Sequence, residues 1–319
     1  MSPLMLGGIV FGRVWNASGA RNFYGDGYAF HKLWRHLGLN YTGSTFVAKT
    51  TTWESRTGHL ALIKGTALAE WRPKCIKVNF RKGAVLNAVG LSGPGVAALL
   101  DSNQWQTRLD PFFLSFMAVQ ADLGDRLAAA SQFAHALWAR NMDVASRVGI
   151  QVNLSCPNVG TQTHDLVDEA RRVLQVFRWR LPATPLAVKL SAVTPIAVAR
   201  AIADLDDCAA LVVSNTIPWG RLPERIDWKG LFGEVSPLAQ FGGGGLSGAP
   251  LLPIVRDWVA EASAGGFPKP IIAGGGVLSC RDAGVLLGAG ASAIELGTVA
   301  ILRPWRVQGI IRYINRDFE

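Results

Sequence analysis

Eight short apolar runs, rich in Val, Ile, Leu and Phe, recur along this chain with helix-period segments between them: residues 14–18, 46–50, 112–119, 150–155, 186–191, 210–215, 270–276 and 293–298. Runs of strand length, apolar on both faces and separated by amphipathic segments, are the sequence form of a parallel sheet covered by helices. Eight such units predict an α/β chain closed into a (β/α)8 TIM barrel, with residues 1–319 forming one domain.

The connecting segments agree with this architecture. A helix over 125–148 places Leu127, Phe133, Leu137, Trp138 and Val144 at helical spacing, and one over 165–180 does the same with Leu166, Val173, Leu174 and Phe177. Pro195 suits the first turn of a helix, and Ser279 suits an N-cap before Arg281 and Asp282. The segment 71–95 fits neither strand nor helix. Its Lys77-Val-Asn-Phe pattern and Gly90, Gly93 and Gly95 predict a small hairpin and loop inserted over the barrel mouth.

Composition narrows the function classes. With 49% hydrophobic and 17% charged residues the chain has core to bury, which excludes general disorder. Mean hydropathy is +0.22, yet no apolar run approaches the roughly 18 residues of a spanning helix. The N-terminus has no basic region before an apolar one, so a cytoplasmic protein without membrane contact is expected. Cys75, Cys156, Cys208 and Cys280 lie far apart, and His31, His36, His59, His135 and His164 have no metal-ligand spacing. No metal site is expected. Net charge is +9, but the basic residues are scattered. Anionic ligands and surface solubility account for them without a nucleic-acid partner.

In a barrel of this kind the chemistry sits at the carboxyl ends of the strands. There the sequence collects Lys49, Lys189, Asn153, Asn158 and Asn215, with glycines beside them. Gly275, Gly276 and Gly297 fall in the last two loops, where bare backbone can approach a phosphate. The run 242–248 supplies Gly245 and Gly248 as a further wall. Gly243, Gly245 and Gly248 also satisfy G-x-G-x-x-G, but no strand immediately precedes them, which weakens a dinucleotide reading.

These strand ends resemble the dihydroorotate dehydrogenase family, from Asn16-Ala-Ser-Gly19 to Leu296-Gly-Thr298, with Asn153-Leu-Ser-Cys-Pro-Asn158 the most specific motif. A cysteine in that motif is similar to the soluble branch; the membrane-associated branch has serine there. The resemblance implies FMN as cofactor, bound by Ala17, Ser18, Gly19, Lys49, Thr50, Asn153, Lys189, Ser214, Thr216 and Thr298 with the glycines already named. It implies Cys156 as the base, Lys189 as the stabiliser of reduced flavin and Lys49 as a second active-site lysine. A small anionic pyrimidine is the implied substrate, held by Lys49, Asn87, Val89, Gly90, Leu91, Asn153, Asn158, Asn215 and Thr216. Amides suit its edges because they donate and accept at once.

Two departures from the family pattern are visible: Gly93 stands where asparagine is usual, and the loop 159–163 is atypical. The implied reaction is oxidation of dihydroorotate to orotate in pyrimidine synthesis, by a homodimer. Fumarate, or NAD reached through a separate iron–sulfur and flavin subunit, would accept the electrons; the stretch 87–95 leans to the second. The alternatives are a flavin enzyme acting on another pyrimidine and an RNA-modifying flavoenzyme resembling dihydrouridine synthases.

Overall fold

The computed structural model describes residues 3–70, 72–142, 147–154 and 163–316. Its central sheet has eight parallel strands: β1 Val14–Asn16, β2 Phe46–Val47, β3 Phe112–Phe116, β4 Val148–Asn153, β5 Leu186–Leu190, β6 Ala210–Val213, β7 Ile271–Gly274 and β8 Ala293–Leu296. They lie in the order β1-β8-β7-β6-β5-β4-β3-β2. A parallel bridge between Trp15 and Thr45 closes the ring. Each predicted run coincides with one of these strands, β4 alone starting two residues ahead of its run at Val148, and the helices follow on the outside as the (β/α)8 expectation requires.

The pleat sorts the side chains. Along β3, Phe112, Leu114 and Phe116 face the helices while Phe113 faces inward; along β5, Leu186, Val188 and Leu190 face out and Ala187 in. The inner floor is Trp15, Val47, Phe113, Ala187, Val212, Ile272 and Ala293. Phe113 lies 4.4 Å from Trp15 and 4.5 Å from Phe11, ring to ring. Gly149, the inward residue of β4, is bare because the Phe113 ring fills the place of its side chain. A hairpin, Met5–Leu6 with Ile9–Val10, brings Leu4, Leu6 and Phe11 against this floor from below.

The β1–β2 seam is the thin part of the ring, and a side chain completes it. Asn16 is buried, donates to the Val47 carbonyl at 2.7 Å and accepts from the Val47 N–H at 3.1 Å. Its amide stands in for a rung of the ladder.

Pro195 and Ser279 flank helices Ile196–Ala203 and Cys280–Gly288 as N-caps, and the Ser279 side chain accepts from the Asp282 N–H. One helix differs from expectation. Leu123–Trp138 ends ten residues before Val148, which instead opens β4. Asn141 at φ 54° and the Met142 N–H bonded to Leu137 wind the chain out of the helix. Apolar spacing alone does not reveal that turn.

The insertion is a hairpin, Ile76–Asn79 with Ala84–Asn87, as expected. It is also part of something larger. Gly245–Gly248 pairs antiparallel with Ala84–Asn87 and carries Ile217–Pro218 on its other edge. The loops after β2 and β6 are thus sewn together on the carboxyl side of the barrel. The G-x-G-x-x-G match therefore runs into a β-strand and not a strand-to-helix turn, which removes the dinucleotide reading.

Asn16→Ala should lower stability by about 2 to 4 kcal/mol, because two buried backbone groups of Val47 lose their partners at about 1 to 3 kcal/mol each. Urea unfolding measures this. A loss below about 0.5 kcal/mol, the scatter of ordinary surface substitutions, would mean that the seam does not depend on the amide.

Candidate active site

One pleat above the apolar floor, the inward positions turn polar. Ser115, Gln151, Lys189 and Glu295 follow Phe113, Gly149, Ala187 and Ala293 by two residues each, and all four are buried. The Gln151 amide donates to Ser115 Oγ at 3.1 Å; Ser115 Oγ lies 2.9 Å from Thr50 Oγ1, which lies 2.6 Å from Ser18 Oγ. Ser18 and Thr50, both expected at the site, are the outer links of this chain.

Lys189 donates from Nζ to Glu295 Oε2 at 2.7 Å. The two strands are separated in the sheet by β6 and β7, so the pair spans the barrel interior. Gly274, beside Glu295 in register, has no side chain to spare room for: a Cβ there would lie 2.9 Å from Glu295 Cβ. The other carboxylate oxygen, Oε1, is buried with no hydrogen-bond partner among the described residues.

Lys49 is differently placed. It is buried just beyond β2, its ammonium donates to the Ser92 carbonyl, and it sits 4.6 Å above the Phe23 ring. No carboxylate pairs with it among the described residues, and burial pulls its pKa down to about 8. Such a cation is predisposed to meet an anion.

The amides meet at the rim. Asn215 Nδ2 donates to Asn153 Oδ1 at 2.9 Å, and Asn215 Oδ1 accepts from the Thr216 N–H at 3.2 Å, which orients the Asn215 amide. Asn87 reaches the Gly245 carbonyl at 3.4 Å. The Val89-Gly90-Leu91 segment is braced by the His59 N–H and by Ser92 Oγ, both donating to the Val89 carbonyl. Gly93 exchanges backbone bonds with Arg56, and a Cβ on it would lie 2.9 Å from the Phe23 ring. The departure at Gly93 is therefore matched by Phe23, which occupies the space.

Ser214 follows the end of β6, its N–H bonded to the Gly274 carbonyl at 2.8 Å. Ala17 packs on Gly297 at the ends of β1 and β8, and Gly275 and Gly276 follow β7 with φ of 130° and 82°. Thr298 precedes the short helix Val299–Leu302. Gly245 and Gly248 lie in the inserted sheet, with Thr216 and Gly83 filling the places of their side chains. Cys156 and Asn158 lie outside the described residues.

Glu295, Gln151 and Ser115 were not anticipated. Their signal was a polar residue alternating with apolar ones inside a buried strand, as in Ala293-Ile-Glu-Leu296. Cys75 and Cys208 are buried, and burial pushes the Cys208 thiol up to about 12, so neither is reactive. His31 bonds the Ala300 carbonyl at 2.9 Å from the interior. Among the described residues there is no cluster of His, Cys, Asp or Glu able to hold a metal, and no helix is long and apolar enough to cross a membrane.

Fold and rim together define a (β/α)8-barrel enzyme with a cationic, amide-lined mouth. The chain belongs to the dihydroorotate dehydrogenase family, an oxidoreductase family of flavoproteins: the family profile matches residues 20–318. A putative dihydroorotate dehydrogenase A (fumarate) of Pediococcus pentosaceus is 30% identical over 94% of this chain and 88% of its own. The catalytic subunit of dihydroorotate dehydrogenase B (NAD(+)) of Bacillus thuringiensis is 30% identical over 72% of this chain and 70% of its own. In fold, ligand-free DHODH from Eimeria tenella superposes with a TM-score of 0.68 at 21% identity, covering 98% of this chain and 87% of that one.

Lys49 makes a testable contribution to pH dependence. Its folded-state pKa, about 8, lies below its ordinary 10.5, so the charged ammonium opposes folding at neutral pH. That cost fades as pH rises from 8 towards 10.5, where the folded state has shed a proton that the unfolded chain still holds. Without ligand, Lys49→Met should be more stable than the parent at pH 7, by about 3 kcal/mol at most, and should lose that advantage near pH 10.5. Guanidinium unfolding at both pH values checks this; a variant less stable at pH 7 would refute the buried-cation account.

Proposed function

We propose that this protein oxidises dihydroorotate to orotate in pyrimidine biosynthesis, using FMN held at the carboxyl rim of a single barrel domain. One observation carries the reading: two buried lysines and the Asn153–Asn215 pair converge on that rim, in a chain of the dihydroorotate dehydrogenase family. The residues present fit a flavin. Lys189 offers a buried cation, and Gly275, Gly276 and Gly297 offer backbone without side chains after β7 and β8, where barrels bind phosphate. A strand in place of a dinucleotide loop at Gly245–Gly248 favours a mononucleotide.

In this reading Ala17, Ser18, Gly19, Thr50, Asn153, Lys189, Ser214, Thr216 and Thr298 surround the cofactor with those glycines, and Gly245 and Gly248 close one side. Lys49 meets the substrate carboxylate, since it is the buried cation that lacks a counter-ion among the described residues. Asn87, Asn153, Asn158, Asn215 and Thr216 hold the carbonyl and N–H edges, and Val89-Gly90-Leu91 covers them. Bound there, FMN supplies an acceptor for the hydride that leaves C6 of dihydroorotate. Cys156 takes the proton from C5 as thiolate, and the electron pair of that C5–H bond becomes the new double bond. Lys189 holds positive charge where negative charge collects.

Fumarate, or NAD through an iron–sulfur and flavin subunit, then removes the electrons; the stretch 87–95 favours the second, with the barrel as a homodimer. Rapid reoxidation by fumarate alone would assign the first. Salt-dependent tRNA binding without bleaching by dihydroorotate would move the reading to RNA modification.

Cys156→Ser should retain flavin and lose about 10² to 10⁴ in the rate of flavin reduction, the usual contribution of a positioned base. Serine forms no comparable anion near neutrality, whereas a free cysteine titrates near pH 8.5. Stopped-flow mixing with dihydroorotate across pH, with Cys280→Ser as control, reads this directly. Equal rates in the parent and Cys156→Ser would remove Cys156 from the chemistry. Acid release of a flavin other than FMN would remove the cofactor assignment.

A further inference from the structure

The Lys189–Glu295 pair is a costly thing to build in the middle of a barrel. Both residues are almost fully buried, at 4% and 3% exposure, and lie on strands separated in the sheet by β6 and β7, so the pair reaches across the interior. Removing two charges from water costs more than most such pairs return, and apolar residues of similar size would serve stability equally well. The barrel floor one pleat below shows that this chain has such residues available, in Ala187 and Ala293 on the same two strands. Stability therefore does not account for Glu295.

Its geometry points elsewhere. Glu295 Oε2 takes the lysine, while Oε1 is buried and lacks a partner among the described residues. The carboxylate lies over the bare Cα of Gly274 and cannot be exchanged for a residue reaching in from β7. Two residues further on, β8 delivers Gly297 to the rim. The cation assigned to the flavin is thus tied, on its inner side, to an anion with one oxygen still open.

A lone buried ammonium would favour the reduced, negatively charged cofactor strongly, because little screens it there. Glu295 cancels much of that bias, and it draws the ammonium towards β8. We infer that Glu295 is a positioning residue that clamps Lys189 and sets the redox potential of the bound flavin, keeping it low enough for the electrons to leave for the acceptor. The inference rests on the reading above that places the flavin against Lys189.

The test is a spectroelectrochemical titration of the flavin in intact holoprotein. E295Q keeps the shape and an acceptor for Lys189 but removes the negative charge. It should raise the preference for reduced over oxidised flavin about tenfold, which for a two-electron couple is about 30 mV upward. E295D, which pulls the carboxylate back by one methylene, should shift it in the same direction by a smaller step and carries the test if E295Q does not fold. No shift, or a downward one, in these variants overturns the role of Glu295. K189Q should shift the potential downward, and this separates the two readings. If K189Q moves the potential and the Glu295 variants do not, the flavin placement stands and the inference alone falls. If K189Q leaves it unchanged, the flavin does not lie against Lys189, and both fall.

Discussion

The interior of an eight-stranded barrel is only wide enough for side chains to fill it, and here the filling is what lifts the chemistry into place. Trp15, Phe113 and Phe11 pack with tilted rings, centroids 4.4 to 6.0 Å apart, and take up the lower half, with Gly149 giving way to the Phe113 ring. Because strands alternate with a period of two, the next inward residue of β3, β4, β5 and β8 must stand on top of that plug. Those residues are Ser115, Gln151, Lys189 and Glu295. The floor thus fixes the height of the polar layer, and the loops above need only supply what reaches down to it.

Lys189 in that layer and Lys49 just beyond β2 are in unlike electrostatic states. Lys189 faces a carboxylate at 2.7 Å, whereas Lys49 has a carbonyl and an aromatic face. A cation–π contact offsets about 0.5 to 2 kcal/mol, less than the desolvation of an ammonium, which is why burial moves Lys49 down to about 8. Among the described residues one lysine is paired with a carboxylate and the other is not. A site that must hold an anionic substrate and steady a cofactor that gains negative charge needs both kinds.

The strands were legible because each is a short, mostly apolar run, and the rim lysines and amides because they stand at or near the ends of those runs. Glu295 and Gln151 were not, since both lie within a strand, where polar residues are read as interruptions of the apolar pattern. Their inward direction emerges only once the barrel closes. Gly245–Gly248 was illegible as a strand for a different reason. Its composition carries no strand propensity, and its pairing with Ala84–Asn87 joins segments 158 residues apart in the chain. The overrun of the first long helix to 148 arose because apolar spacing continues through Met142, while the turn at Asn141 depends on a single left-handed residue.

Gly93 shows how a departure from a family pattern can be absorbed locally. A side chain there would run into Phe23, and the ring of Phe23 is also the platform under the Lys49 ammonium. With Gly93 flat against that ring, the preceding residue turns its carbonyl onto Lys49, and Ser92 Oγ binds Val89 and Leu60. Phe23, Lys49, Ser92 and Gly93 therefore pack as one unit. Replacing an amide by this arrangement removes a polar group from beside the lysine and puts an apolar face there, so less of the ammonium's charge is answered by the protein. With glycine at position 93, the Ser92 carbonyl and the Phe23 ring are what the Lys49 ammonium meets among the described residues.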